Sequence, residues 1–161
     1  MEIAAESLCF AQSPPIAADV ARGVTRLFCR KELFGFCEVP LPNGRRADIM
    51  AVDSKGCLTI VEIKVARADL LGDGKWTDYL DYCDRFYWAV PPELAAICEG
   101  ERFLPGAAGL IVADRYDAAV VREAAERPLA PARRKAELLR FARRAARRLS
   151  EQLDPSLGAD R

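Results

Sequence analysis

The sequence predicts an α/β domain: a helix, a mainly antiparallel three-stranded sheet, a crossover helix, further strands and a basic C-terminal helix. Three observations support this class: an apolar helical pattern near the N terminus, two β-rich runs around a glycine-containing turn, and an arginine-rich helical stretch at the end. The chain has 161 residues and 51% are hydrophobic, so one domain with a sizeable core is expected. We assign residues 1–15 to an arm, 16–153 to the domain and 154–161 to a tail.

The elements follow from local patterns along the chain. Val20, Val24 and Leu27 lie at helical spacing and predict a helix over Ile16–Phe34, which Gly35 would end. β-rich or apolar runs predict strands at Phe36–Leu41, Ala47–Val52, Cys57–Val65, Phe86–Val90 and Gly109–Ala113. Between the strands we expect a polar connection at Ala66–Gly74 and a short helix at Lys75–Cys83. Glu93–Pro105 is a helix or an irregular linker, and Asp117–Glu126 is partly helical. The last helix is predicted at Arg133–Leu153. The fourth strand is expected beside the third, after the crossover.

The stretch 45–64 carries the most specific pattern. Its two β-rich runs flank Ser54-Lys55-Gly56, which we interpret as a three-residue hairpin loop whose glycine supplies a positive φ. Counting back along both strands puts Asp48 opposite Glu62, and Lys64 shares a face with Glu62. A four-residue loop would shift the register by one residue and separate the two carboxylates.

Two carboxylates and a lysine at one strand end have two interpretations. Asp48 and Glu62, with the carbonyl of Ile63, can hold a hard divalent cation such as Mg²⁺, while Lys64 orients a water or stabilises developing negative charge. The alternative is a surface aspartate beside a Glu–Lys pair on a solvated strand face. The two charges interrupt a run that reads as buried, where unpaired charges are costly, and this weighs against a solvated face.

At these residues the chain resembles the PD-(D/E)XK nuclease superfamily, whose signature is an Asp at the start of one strand and Glu-x-Lys on the next. The signature reads Ala47-Asp48 and Glu62-Ile63-Lys64, with Ala in place of the usual Pro. The longer stretches GRRADIMAV, VEIKVARADLLGDGKWTDYLDYCDRFYWAVP and APARRKAELLRFARRAARRL are similar to the MmcB-type DNA repair proteins of bacteria. The resemblance covers most of the chain up to Leu149. It implies a restriction-endonuclease-like core and a DNA nuclease of repair that uses Mg²⁺ or Mn²⁺.

Three further side chains are candidates for the same site. If the Pro42-Asn43-Gly44 turn closes on its glycine, Glu38 faces Asp48 and is either another ligand or a solvated strand residue. Nuclease families similar to the RecB group carry a Gln four residues before a Tyr after the Glu-x-Lys strand. Lys75 and Tyr79 have that spacing, with Lys replacing Gln, and one α-helical turn would place both on one face.

Basic residues are concentrated near the C terminus. The segment Arg133–Arg148 holds eight basic residues and one acid, Glu137. A predicted apolar stripe contains Leu138, Phe141, Ala142, Ala145 and Leu149, and the opposite arc contains Arg140, Arg143, Arg144, Arg147 and Arg148. The arc is either a solvated helix face or a surface that binds phosphates, which arginine pairs bidentately. The predicted DNA contacts are Arg67, Lys75, Arg140, Arg143, Arg144 and Arg147.

Composition excludes several other classes. The absence of histidine excludes His–Cys zinc sites, Ser-His-Asp triads and histidine bases. Six cysteines lack a C-x-x-C pair and lie in apolar runs, which predicts free, buried thiols. A formal net charge of zero argues against a wholly basic nucleic-acid coat.

Two interpretations of function remain open. The first is the metal-dependent DNA nuclease, and the rival is a non-catalytic DNA-binding or recruitment subunit of a repair complex that keeps the same fold, with other repair proteins as partners. A third possibility is that the substrate is RNA. The sequence shows no charged-then-apolar leader and no long apolar span, so a cytoplasmic protein without a membrane partner is expected.

Overall fold

The computed structural model describes residues 15–158 and contains one six-stranded sheet with helices on both faces. The strands are β1 (Phe34–Pro40), β2 (Arg46–Val52), β3 (Leu58–Ile63), β4 (Arg85–Val90), β5 (Gly109–Ala113) and β6 (Ala118–Arg122). The α-helices are α1 (Ala17–Arg30), α2 (Arg67–Gly72) and α3 (Pro131–Leu153). Short 3₁₀ helices occupy Trp76–Tyr82, Pro92–Glu99, Glu101–Phe103 and Pro155–Gly158. The predicted arm lies outside the described residues except for Pro15.

The strands lie side by side in chain order, from β1 to β6. β1, β2 and β3 are antiparallel neighbours, β4 joins β3 in parallel, β5 joins β4 in parallel, and β6 returns antiparallel to β5. The prediction of a mixed α/β fold is therefore confirmed, and so is the place of β4 beside β3. The parallel step requires a crossover, which α2 and the 3₁₀ helix Trp76–Tyr82 supply.

Each face of the sheet is covered by a different layer. On one face α1 buries Val20, Val24, Leu27 and Phe28, and each such side chain contributes about 1.5–3 kcal/mol relative to exposure. The other face is covered by the 3₁₀ helices and α3, around rings that meet at 5.0–5.5 Å between centroids: Trp76, Phe86, Trp88 and Phe103. Every residue of β3 is buried as a result, including the one charged residue within it.

The first helix ends earlier than its apolar spacing predicts. It stops at Arg30, and Glu32 adopts a left-handed conformation with φ 56°, which turns the chain into β1. Gly35 lies inside β1 rather than at a helix end. A Cβ there would come within 2.2 Å of the Met50 carbonyl oxygen, so glycine permits the close approach of β1 to β2.

Three other segments differ from prediction. The stretch Asp117–Glu126, predicted as partly helical, contains strand β6, because Ala118 and Val120 pack inward in the two-residue period of a strand while Val121 is exposed. The polar connection after β3 contains α2. The last helix begins at Pro131 rather than at Arg133, because the fixed φ of proline suits the first turn of a helix.

The described cysteines are all free thiols, as predicted for their type. Cys57, Cys83 and Cys98 are buried, whereas Cys29 is exposed and Cys37 is half-buried. Within residues 15–158, no helix has both the length and the apolar character needed to cross a bilayer.

Candidate functional site

The β2–β3 hairpin sets the geometry of the predicted acidic site. Val52 pairs with Leu58 and Ile49 with Val61, and the same register carried one step further places Asp48 opposite Glu62. Gly56 has φ 78°, and the N–H of Gly56 donates to the carbonyl of Asp53 at 3.1 Å, so the loop is the three-residue turn. The predicted register is confirmed, because a turn and a two-residue period determine it locally.

Asp48 is half-buried at the start of β2. Its Oδ2 accepts the N–H of Ile63 at 2.7 Å, which ties the aspartate to the next strand. Burial raises the pKa of Asp48 above its ordinary value, although the Ile63 N–H and the charge of Lys64 oppose the shift. The carboxylate is thus fixed by one oxygen at the end of β3, within the same cluster of charges as Glu62.

Glu62 and Lys64 form a buried ion pair that a third residue completes. The Lys64 Nζ lies 3.1 Å from Glu62 Oε1 and 3.0 Å from Asp73 Oδ2, and all three side chains are at least 85% inaccessible. Burial acts to lower the pKa of Lys64, but Glu62 and Asp73 together raise it above the ordinary value. The lysine is therefore a held cation between two carboxylates.

Among the residues that the structure describes, one oxygen of Glu62 has no hydrogen-bond partner. Its Oε2 is buried and makes no hydrogen bond to the described residues. Burial and then the charge of Asp48 raise the pKa of Glu62 to about 7, although Lys64 lowers it. The charge of Asp48 disfavours ionisation of Glu62, and Oε2 has no donor beside it among the described residues. A positive charge placed next to Oε2 would therefore stabilise the ionised form of Glu62.

This arrangement fits a hard divalent cation in its donor type. Asp48 and Glu62 supply carboxylate oxygens, and the carbonyl of Ile63 is a third predicted donor beside them. Carboxylates and carbonyls are the ligands that Mg²⁺ and Mn²⁺ take, usually with several waters. Among residues 15–158, however, no group of three or more His, Cys, Asp or Glu side chains is arranged to hold a metal ion.

Asp73 is the contact that sequence reasoning missed. Nothing in its position or spacing within the polar connection Ala66–Gly74 indicated a bond to Lys64. The C-terminal end of α2 brings it back to β3, and its Oδ1 accepts the N–H of Lys75 while its Oδ2 contacts Lys64.

Glu38 lies opposite Asp48 in register, as predicted, but its side chain pairs with Arg46. Cys37 pairs with Ile49 and Val39 with Ala47, so Glu38 and Asp48 are opposite in register. Glu38 has φ 60°, and its carboxylate forms an exposed ion pair with Arg46 at 2.6 Å.

Lys75 and Tyr79 do not share a face. The segment after Lys75 is a 3₁₀ helix with three residues per turn, so positions four apart diverge, and Lys75 is exposed while Tyr79 is buried. The Tyr79 hydroxyl donates to the carbonyl of Arg46 at 3.1 Å. Burial, followed by the charge of Glu62, raises the pKa of Tyr79, which places the phenol close to the acidic site.

A groove of about 540 Å³ runs between α1 and the end of the sheet that carries the site. Asp48, Glu38 and Ile63 line one wall, and Arg22 and Arg26 of α1 line the other. Sequence reasoning missed these two arginines, because the helical pattern identifies the buried face of α1 and says nothing about what its exposed face meets. The groove gives an anionic ligand access to Asp48 beside positive charge.

The basic helix α3 is anchored on the sheet by three contacts. Arg134 pairs with the fully buried Asp84 at 2.5 Å, and the Phe141 ring stacks on Phe36 at 4.8 Å. Arg148, predicted on the free arc, instead lies over the Phe36 ring and donates to the carbonyls of Cys37 and Glu38. Because Arg148 is half-buried against β1, the prediction that it lies on the free arc is wrong.

The other arginines of the predicted arc border a second groove of about 460 Å³, between α3 and β1–β2: Arg140, Arg143, Arg144 and Arg147. Arg140 pairs with the buried Glu137, and Arg147 contacts Glu151 at 3.3 Å. Arg67, at the start of α2, is exposed. The predicted DNA contacts therefore divide between this groove and the exposed α2 region.

Comparisons with known proteins support the resemblance to the MmcB-type proteins. No curated protein matches the chain. A solved structure described as the SPO1766 protein of unknown function from Silicibacter pomeroyi is similar, with 42% sequence identity, a TM-score of 0.78, and coverage of 91% of this chain and 95% of that one. A family model described as DNA repair protein MmcB-like matches residues 6–156. The chain therefore belongs to the MmcB-like family of DNA repair proteins.

Proposed function

We propose that the chain is a metal-dependent nuclease that hydrolyses phosphodiester bonds of DNA during repair, on a restriction-endonuclease-like core. The observation that carries the proposal is the buried Glu62, whose Oε2 has no partner among the described residues, beside Asp48 and Lys64. Stability alone would favour satisfying or removing such an oxygen. An unsatisfied buried acid next to a second acid is a recurrent feature of sites that carry chemistry.

Each residue of the cluster has a separate task in this proposal. Asp48 and Glu62, with the carbonyl of Ile63, would hold Mg²⁺ or Mn²⁺, which when bound lowers the pKa of a water and neutralises charge on the phosphodiester. Lys64 carries a positive charge in a fixed position, because Glu62 and Asp73 hold its Nζ. That charge stabilises the negative charge that develops at the phosphate.

The basic side chains around the site would hold the nucleic acid. Arg22 and Arg26 line the groove that reaches Asp48, and the α3 arginines line the neighbouring groove. Arginine and lysine contacts to phosphates supply sequence-independent affinity, which suits a repair enzyme that acts on many sequences. Arg67 and Lys75, both exposed, would add such contacts from the crossover.

One observation favours the rival function, a non-catalytic DNA-binding or recruitment subunit. Lys64 is bonded to both Glu62 and Asp73, so part of the acidic charge is already neutralised inside the protein. A site balanced in this way can persist as a structural remnant in a protein that only binds DNA. The two functions differ in whether DNA is cut and whether cutting needs a metal.

The test is a cleavage assay with and without Mg²⁺ or Mn²⁺, on single-stranded, duplex, branched and damaged DNA and on RNA. We expect the wild type to cut DNA only with metal, and Lys64→Ala to lower the rate by about 10²–10³ because one positioned charge is lost. Lys55→Ala, which changes an exposed lysine in the loop of the same hairpin, is the control and should cut like the wild type. No cleavage of any substrate would favour the recruitment subunit, whereas cleavage by Lys64→Ala at the wild-type rate would remove Lys64 from the chemistry.

A further inference from the structure

The groove between α3 and the β1–β2 hairpin has a charged rim and an apolar floor. Its floor is formed by Val39 of β1, Leu41 just after β1, Met50 of β2 and Phe141 of α3. Its rim is formed by arginines of α3, and the buried Glu137, paired with Arg140, also lines it. A groove that binds only phosphates has no need of an apolar floor. The combination matches a ligand that is anionic on one side and apolar on the other.

Two of the rim arginines have no counter-ion among the described residues. Arg143 and Arg144 make no hydrogen bond or ion pair with any described residue, in contrast to Arg140 with Glu137 and Arg147 with Glu151. Arg144 is also half-buried, and burial followed by the charge of Arg147 lowers its pKa. A half-buried cation among like charges is stabilised by an anion.

Charge and floor together identify the ligand. We propose that this groove binds an unpaired nucleotide of single-stranded DNA, with a phosphate on Arg143 and Arg144 and the base against the apolar floor. A duplex offers the same phosphates but keeps its bases stacked inside, so it gains nothing from the floor. Grooves that bind single strands combine a basic track with apolar or aromatic surfaces for the bases.

The position of the groove connects it to the acidic site. Met50 of the floor lies two residues after Asp48 on β2, so the groove and the acidic site are adjacent along one strand. Arg148, one residue beyond Arg147, donates to the carbonyl of Glu38, which is opposite Asp48 in register. The inference rests on the proposed function in taking DNA as the ligand, and adds that the bound strand is single near the site.

The test measures binding by fluorescence anisotropy in EDTA, where cleavage does not occur. The probes are a short labelled oligothymidylate, an abasic strand of the same length and a duplex of the same length. The variant is Arg143→Gln with Arg144→Gln. Its control is Arg127→Gln with Lys135→Gln, which removes two exposed cations outside the groove lining.

We expect the wild type to bind oligothymidylate more tightly than duplex, and the abasic strand about fivefold or more weakly than oligothymidylate, since stacking of a base is lost. The Arg143/Arg144 variant should lose about tenfold or more in affinity for oligothymidylate and about 1.4 units of salt slope, for two contacts to a single strand. The control should keep wild-type binding of every probe.

Equal affinity for the abasic strand and oligothymidylate would overturn the inference, and so would wild-type binding by the Arg143/Arg144 variant. Failure of the proposed function gives a different result. A protein that binds single strands through this groove but cuts nothing with metal would retain the inference and lose the nuclease. A protein that cuts DNA but binds all three probes alike would retain the nuclease and lose the inference.

Discussion

Two buried carboxylates of the sheet, Asp84 and Glu62, have similar surroundings and different hydrogen-bond partners. The Asp84 side chain is fully inaccessible and accepts bonds from Arg134 and from the N–H groups of Leu58 and Leu129, so both of its oxygens are satisfied. The Glu62 side chain is 9% accessible, is paired with Lys64 through Oε1, lies near the Tyr79 hydroxyl, and leaves Oε2 without a hydrogen-bond partner among the described residues. A satisfied buried acid holds the fold together, whereas an unsatisfied one retains the capacity to bind something else.

The largest expected effect on stability comes from Asp84, the carboxylate whose oxygens are both hydrogen-bonded. Asp84→Ala leaves Arg134 and two backbone N–H groups without their acceptor and should lower the free energy of unfolding by about 3–5 kcal/mol. Glu126→Ala is the control, since it removes the exposed partner of neighbouring Arg85 and should cost less than about 1 kcal/mol. Urea unfolding measures both, and equal costs for the two variants would show that Asp84 does not anchor α3.

The contribution of Glu62 to stability should depend on pH in metal-free buffer. Glu62 holds its proton up to about pH 7 in the folded protein and only to about pH 4.5 when unfolded. The folded state therefore binds more protons in between, and stability falls as pH rises through this range, by at most about 3 kcal/mol. Glu62→Gln cannot ionise, so its stability relative to wild type should increase from pH 5 to 7 and then level off. A difference that does not change with pH would mean that Glu62 is ionised throughout.

The next effect tests whether the unsatisfied acids hold a metal. Asp48→Asn removes one anionic donor and should weaken Mg²⁺ or Mn²⁺ binding by at least about tenfold, the lower limit for loss of even an outer partner of a metal site. Calorimetric titration measures the affinity. Asp53→Asn is the matched control, because Asp53 lies in the same hairpin and accepts turn N–H bonds that an amide oxygen also accepts. Metal affinity equal to wild type in Asp48→Asn would remove Asp48 from the site.

The smallest effect concerns the support of Lys64. Asp73→Asn removes one of the two charged partners of Lys64 and should lower the cleavage rate by about tenfold, as for other groups that orient a site residue, while metal affinity stays near wild type. Asp69→Asn, in the exposed part of α2, is the control. A single-turnover assay measures the cleavage step apart from substrate binding and product release. Full activity in Asp73→Asn would show that Glu62 alone positions the lysine.

The sequence by itself determined the local geometry of the site. The glycine-containing loop and the two-residue strand period put Asp48 opposite Glu62, and the structure has that register. The strand Gly109–Ala113 was predicted at its observed bounds, because a short apolar run between turn residues has few alternatives. Both results depend on interactions within a few residues, which sequence patterns report directly.

Only the tertiary structure decided which charged side chains meet. Asp73 reaches Lys64 because α2 returns the chain to β3, and Arg134 reaches Asp84 across 50 positions of sequence. Spacing carries no information about such contacts, since they depend on how layers pack rather than on any local period. Strand β6 was missed for the same reason: its backbone is paired by β5, a neighbour whose position the segment itself does not encode.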